Sequence, residues 1–310
     1  MMLPRVLADM PISQSLEKAL ADKVTLLPWN SQDPEIQGIL TYGHPRVDGP
    51  LMDQFPHLKV ISNFGVGVDH IDLEAARTRG IPVGNTPGIL DGATADMAFT
   101  LLLASARRLV EGDRYARSPQ FTRYDPSFML GREVHHSTLG IIGMGRIGLQ
   151  VARRARGFDM KILYHNRQPR PEAEQQTGAR WVSKNDLLQQ SNFVVLTVPL
   201  TESTRHLIGW NELCLMKPTA ILVNVARGPV IDTEALTEAL RVRKIDGAAL
   251  DVTDPEPLPR DHPILRLDNL TLAPHLGSAT EETRQRMADL SIANLLAGLA
   301  GQPLVHEVQR

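Results

Sequence analysis

The sequence predicts an α/β protein built from two parallel-sheet units. Three observations predict it. Short β-branched runs alternate with helix-period segments from one end of the chain to the other, the pattern of repeated strand–crossover–strand units. A glycine-rich turn, "GMGRIG", joins one such run to a helical segment, as in nucleotide-binding folds. The chain has 310 residues, 42% hydrophobic and 22% charged, an ordinary globular composition and a length better suited to two cores than one.

Within the first hundred residues the strands are expected at "RVLADM", "KVTLLP", "GILTYG", "KVISNFG" and "IPVGN". The intervening "SQSLEKALAD" and "DLEAARTRG" read as helices. One long helix is expected from Asp91 to Arg117, with Leu101, Leu102, Leu103 and Leu109 on its apolar side. Residues Ser118 to Ser137 have no period yet carry Phe121, Tyr124, Phe128 and Met129. An aperiodic segment of this length is functional or makes a contact elsewhere. A second strand series follows at "STLGIIG", "MKILYHN", "FVVLTV", "AILVNVA", "DGAALDV" and "NLTLAPH", and a helix over 280–300 closes the pattern.

Charge and cysteine content narrow the function. With 33 basic and 35 acidic residues the formal charge is −2, so no whole-chain field favours nucleic acid or an anionic membrane. The densest apolar run, "AFTLLLA", is too short to span a bilayer. Cys214 is the only cysteine, which excludes an internal disulfide and suits a reducing, cytoplasmic setting. No metal site is expected.

In the turn, Gly143 permits the tight bend, Gly145 lets backbone approach a pyrophosphate, and Gly148 allows close helix–sheet packing. The following helix offers unpaired N–H groups and the positive end of its dipole to phosphate. The next strand ends in "YHNRQPRP", where an NAD-binding chain usually places an acid on the ribose hydroxyls. A carboxylate there would repel a 2′-phosphate, whereas arginine binds it with charge assistance. Arg167 and Arg170, flanked by prolines, therefore read as a 2′-phosphate clamp, and the cofactor as NADP, with NADPH preferred over NADH.

Three further residues stand at successive strand ends, where open α/β sheets bind ligands. Arg227 follows "ILVNVA", Glu256 lies in the proline-rich "DPEPLP", and His275 ends "LTLAPH". Arginine holds a carboxylate, histidine exchanges a proton near neutral pH, and glutamate orients and charges the histidine.

At this point the sequence resembles the D-2-hydroxyacid dehydrogenase family over nearly its whole length. The matching pieces are "NFGVGVDHID", "GIIGMGRIG", "VNVARGPVID", "GAALDVTDPEP" and "APHLGSAT". Within the family, "RQPRP" and "DVTDPEPLPRDHP" are most similar to glyoxylate/hydroxypyruvate reductases. The resemblance implies two doubly wound parallel-sheet domains, a Rossmann cofactor domain inserted in a flavodoxin-like substrate domain. Residues 1–100 and 283–310 would form the substrate (lid) domain, and 101–282 the NAD(P)-binding domain.

The same resemblance implies roles. Val66 and Gly67 would offer backbone N–H groups to the substrate carboxylate, and Arg227 would bind that carboxylate and the 2-oxo oxygen. His275 would protonate the oxygen as hydride arrives at C2, and Glu256 would keep His275 protonated. Ser278 would touch substrate. Cofactor contacts are implied at Thr94, Gly143, Gly145, Arg146, Ile147, Gly148, Asn166, Arg167, Gln168 and Arg170. Others fall at Val198, Pro199, Val225, Ala226, Asp251 and Gly277.

Similar reductases carry tryptophans in the loop after the long helix, where this chain has Phe121, Tyr124 and Phe128. In the family this loop can reach a neighbouring subunit's active site, so a homodimer is expected, with the loop limiting substrate size. The expected reaction is NADPH-dependent reduction of small 2-oxo acids. Rival readings are the same chemistry on larger acids, such as hydroxyphenylpyruvate or 2-ketogluconate, and a nucleotide-sensing corepressor or scaffold. Formate dehydrogenases of the superfamily carry glutamine where this chain has Glu256, which counts against that chemistry.

Overall fold

The computed structural model describes residues 2–9 and 12–308. Met10, at the end of the first expected strand, lies outside them. The described chain forms two compact units, Met1–Leu90 with Thr280–Arg310, and Asp91–Ala279.

The first unit holds β1 (Arg5–Ala8), β2 (Thr25–Pro28), β3 (Ile36–Thr41), β4 (Val60–Asn63) and β5 (Val83–Gly84). All are parallel, in the order β2-β1-β3-β4-β5, the flavodoxin-like winding. The helix Glu281–Leu299 returns to this sheet from the far end of the sequence. Two small residues allow it: a Cβ on Gly38 would stand 3.0 Å from Leu295, and one on Gly298 would stand 2.5 Å from Val60. The Ser62 hydroxyl donates to the Ser291 carbonyl at 2.8 Å, satisfying a buried polar pair at the contact.

The second unit holds β6 (Thr138–Ile142), β7 (Lys161–His165), β8 (Arg180–Trp181), β9 (Phe193–Leu196), β10 (Ile221–Asn224), β11 (Gly247–Leu250) and β12 (Leu270–Leu272). Their order is β12-β11-β10-β9-β6-β7-β8, again parallel. This is the Rossmann order with one added edge strand. Both faces are covered, so the central strand β9 is apolar and buried at every position. In β9, Phe193 and Val195 enter one core while Val194 and Leu196 enter the other. β6 lies between β7 and β9, and the direction of winding reverses there. The glycine turn leaves β6, at the switch point where such sheets bind ligands.

The structure corrects three expectations. The helix expected over 91–117 is two helices, Asp91–Ala106 and Leu109–Ala116. Arg108 between them is left-handed, with φ 51°. The Ala106 carbonyl accepts the Arg132 N–H at 2.7 Å, and Arg108 pairs with Glu111 at 2.7 Å. A distant segment thus caps the first helix where local periodicity runs on. Leu109, expected on the apolar side, is 64% exposed for the same reason. The units also divide at Leu90/Asp91 and Ala279/Thr280, not at 100/101 and 282/283. The helix from Asp91 buries Ala95, Ala98, Leu101 and Leu102 in the second unit's core, so it belongs there from its first turn. β8 and the helix Gly49–Met52 were not anticipated; two and four residues show no usable period.

Residues 118–137 contain no helix or strand. Tyr115 packs its ring against Phe121 and Phe128, at centroid distances of 5.5 and 4.7 Å. In the single chain Phe121, Tyr124 and Phe128 nevertheless remain exposed. No helix of the described residues is long and apolar enough to cross a membrane.

Candidate active site

The glycine turn has the shape an anion site requires. Gly143 has φ 106°, a conformation that favours glycine. A Cβ on Gly148 would lie 2.3 Å from the Gly143 carbonyl, so only glycine lets the helix Arg146–Arg156 start so close to the strand. A Cβ on Gly145 would meet nothing within 4 Å, so this backbone faces open space. The Leu149 N–H donates to Gly145, while the N–H groups of Arg146, Ile147 and Gly148 have no acceptor among the described residues. Three donors at the positive end of a helix dipole fit a dinucleotide pyrophosphate.

The loop after β7 closes around this turn. Asn166 Oδ1 accepts the Met144 N–H at 2.6 Å, and Arg170 Nη1 donates to the Met144 carbonyl at 2.9 Å. Arg167 and Gln168 are exposed, and neither side chain has a hydrogen bond or ion pair among the described residues.

The three strand-end residues come from adjacent loops. A Cβ on Gly228 would stand 1.9 Å from the Thr253 carbonyl. Glycine therefore lets the Arg227 loop press on the loop bearing Glu256. Asn224, buried at the end of β10, fixes the Arg227 backbone: its amide donates to the Arg227 carbonyl at 2.9 Å and its Oδ1 accepts from Ala226 N–H at 3.0 Å. His275 Nδ1 lies 2.7 Å from Glu256 Oε1. Burial raises the Glu256 carboxyl. The hydrogen bond and charge of His275, the Thr253 N–H and the charge of Arg227 outweigh it and hold the group below the usual carboxylate range.

Asp251, buried at the end of β11, organises the His275 backbone. His275 is left-handed, with φ 57°, a conformation that costs a non-glycine residue about 1 kcal/mol or more. The Asp251 carbonyl accepts from His275 N–H at 2.8 Å, and its carboxylate accepts from Leu276 and Gly277 N–H, each at 2.7 Å. A Cβ on Gly277 would stand 3.0 Å from Asp251 and 3.4 Å from Thr94, so these three expected residues converge. Ser278 follows, half-buried. Val198 and Pro199 lie just past β9, and Val225 and Ala226 are buried just past β10.

Val66 and Gly67 belong to the first unit, after β4. Asn63 donates to the Gly65 and Gly67 carbonyls, both at 3.0 Å, and Asn85 to the Val66 carbonyl at 2.9 Å. With the carbonyls engaged, the Val66 and Gly67 N–H groups have no acceptor among the described residues. Two adjacent donors suit a carboxylate.

Sequence reading missed the supports: Asn63, Asn85, Asn224, Thr253, Tyr164 and Trp181. A faint signal existed for three of them. Asn63, Asn85 and Asn224 each stand at or just past the end of an apolar strand, where a buried amide must have partners.

The family model for the D-isomer specific 2-hydroxyacid dehydrogenase, NAD binding domain, matches residues 99–277. The chain is 50% identical over 272 residues to the glyoxylate reductase of Thermococcus gammatolerans, covering 86% of this chain and 81% of that one. To the glyoxylate reductase of Thermococcus onnurineus it is 44% identical over 316 residues, covering 97% and 94%. Among solved structures, the NADPH-dependent glyoxylate/hydroxypyruvate reductase of Sinorhizobium meliloti, in complex with NADP and malonate, matches with a TM-score of 0.89. The identity is 33%, across 98% of this chain and 96% of that one. By sequence and by fold, the chain belongs to the D-isomer specific 2-hydroxyacid dehydrogenases, oxidoreductases that act on 2-oxo and 2-hydroxy acids with an NAD-binding domain.

Proposed function

We propose that this chain reduces small 2-oxo acids, glyoxylate and hydroxypyruvate, to 2-hydroxy acids with NADPH, and that His275 is the proton donor. The observation that carries the reading is the 2.7 Å contact between His275 and Glu256 at the ends of adjacent Rossmann strands. The residues of the glycine turn would hold the pyrophosphate, Arg167 in the loop after β7 the 2′-phosphate, and Thr94, Asp251 and Gly277 would line the cofactor's reactive end. The bound dinucleotide supplies the hydride that reaches C2.

Arg227 holds the substrate carboxylate and polarises the 2-oxo oxygen, and Ser278 borders it. With Nδ1 engaged by Glu256, proton transfer to the 2-oxo oxygen falls to His275 Nε2. The Glu256 carboxylate balances the imidazolium before the transfer and fixes the ring's tautomer. Relatives named glyoxylate reductase, and a similar enzyme solved with NADP, support this substrate class and cofactor. An exposed free thiol at Cys214 suits a reducing, cytoplasmic setting.

The assembly that fits best is a symmetric dimer. Leu109, Phe121, Tyr124 and Leu130 are between 51% and 82% exposed in one chain. Leu130 also lines a groove of about 430 Å³, together with Arg132 and Leu272. Leu272 sits on β12, an edge strand, and natural sheets cover or blunt such edges.

Steady-state turnover on glyoxylate, hydroxypyruvate, phenylpyruvate and 2-ketogluconate, with NADPH and NADH in turn, tests the reading. Highest kcat/KM on the two small acids with NADPH is expected. A preference for the bulky acids or for NADH would overturn the corresponding half, and no turnover on any acid would overturn the whole.

A further inference from the structure

The two arginines after β7 are placed differently. Arg167 is exposed and its guanidinium has no partner among the described residues. Arg170 is committed: Nη1 donates to the Met144 carbonyl at 2.9 Å. Met144 is the middle residue of the glycine turn, its side chain fully buried. Its N–H donates to Asn166 Oδ1 at 2.6 Å, and its carbonyl also accepts from Asn166 Nδ2 at 3.4 Å. Both sides of the Met144 residue are therefore tied to the loop after β7.

A closed circuit fixes Arg170 in turn. Its backbone N–H donates to the Tyr164 hydroxyl at 2.6 Å. Tyr164, fully buried on β7, donates to Glu174 Oε1 at 3.0 Å, and the same oxygen accepts the Trp181 N–H at 3.3 Å. Trp181 Nε1 donates to the Asn166 carbonyl at 3.0 Å, which brings the circuit back to the loop. Burial raises the Tyr164 hydroxyl above its usual range, with Glu174 adding to the rise and Arg170 opposing it, so the phenol stays a donor. Pro169 and Pro171 restrict the backbone on either side of Arg170.

We infer that the arginines divide the work: Arg167 reads the 2′-phosphate, whereas Arg170, placed by Tyr164, is a positioning residue that braces the glycine turn for any dinucleotide. The first half rests on the NADPH reading above; the second does not. A guanidinium held against the turn stabilises the binding of a part common to both cofactors, the pyrophosphate. It cannot by itself discriminate between them.

The experiment measures dissociation constants of NADPH and NADH, by fluorescence titration without substrate, for the wild-type protein and Arg167→Ala, Arg170→Ala, Arg170→Lys and Tyr164→Phe. Melting temperatures are recorded alongside. Arg167→Ala should weaken NADPH by roughly tenfold to a hundredfold and leave NADH nearly unchanged. Arg170→Ala should weaken both by a similar factor, roughly tenfold. Arg170→Lys should recover most of that loss, because an ammonium can still donate to the Met144 carbonyl. Tyr164→Phe should weaken both in the same proportion. Should Arg170→Ala fail to fold, the lysine and phenylalanine variants decide. Weakening of NADPH alone at position 170 would make Arg170 a phosphate ligand and overturn the division, as would unchanged affinities. Equal losses of both cofactors in Arg167→Ala would refute the NADPH reading while leaving the bracing role standing on its effect on NADH.

Discussion

His275 Nδ1 and Glu256 Oε1 are 2.7 Å apart although 19 residues separate them along the chain. The pair is assembled by two neighbouring parallel strands, β11 and β12, whose ends deliver the two loops side by side. Glu256 is held below the usual carboxylate range against its own burial. Its ionised form is therefore favoured by folding. The stability this contributes is present above the unfolded carboxyl's pKa and is lost as pH falls through the lower folded value.

Replacing Glu256 by Gln should accordingly lower the melting temperature at neutral pH. The gap from wild type should close as the buffer is taken down through the acidic range. In turnover, loss of the carboxylate removes the group that orients the His275 ring, so kcat for glyoxylate should fall while NADPH dissociation, measured without substrate, changes little. Unchanged kcat in Glu256→Gln would remove this residue from the mechanism.

Arg227 is expected to act on substrate rather than on fold. Asn224 fixes its backbone, and its guanidinium donates to the adjacent Ala226 carbonyl at 2.9 Å. Arg227→Ala should lower kcat/KM for glyoxylate by about 1.5–3 kcal/mol of lost charge-assisted bonding, or roughly tenfold to more than a hundredfold. NADPH dissociation, measured without substrate, should change little; a comparable loss there would make Arg227 a cofactor ligand.

Asp251 holds His275 in its left-handed conformation through three acceptor contacts. Asp251→Ala would leave the Leu276 and Gly277 N–H groups without their carboxylate, at about 1–3 kcal/mol for the buried Gly277 donor. Calorimetry should show the lowered melting temperature, and turnover should fall further than the stability loss explains because the His275 ring leaves Glu256. Full activity in the folded variant would show that the loop keeps its shape without the carboxylate.

The aromatic segment after the second helix is expected to set substrate size from across a dimer interface. Phe128→Ala with Met129→Ala should alter the ratio of kcat/KM for glyoxylate to that for phenylpyruvate, with NADPH affinity retained. Light scattering at assay concentration should give twice the chain mass. A fully active monomer would end this reading whatever the variants did.

Much of the site was legible because its signals are local. A strand, a turn of glycines and a helix follow one another in "TLGIIGMGRIGLQV", and Gly143 and Gly148 answer to close approaches within a few residues or from the neighbouring strand. The order Arg227, Glu256, His275 was legible too, since parallel strands place successive loops at one edge and the residue types name the chemistry. Tertiary structure alone decided how those residues are held. Arg170 reads as a phosphate ligand in "RQPRP", yet the fold turns it onto Met144, 26 residues earlier. The helix that periodicity extends to Arg117 stops at Ala106 because Arg132 takes its terminal carbonyl. Asn63 and Asn224 look like ordinary polar residues until burial leaves them obliged to find partners. Hydrophobic period and turn chemistry act over a few residues, so a sequence carries them openly. A hydrogen bond across tens of residues exists only after the sheet has brought its two ends together.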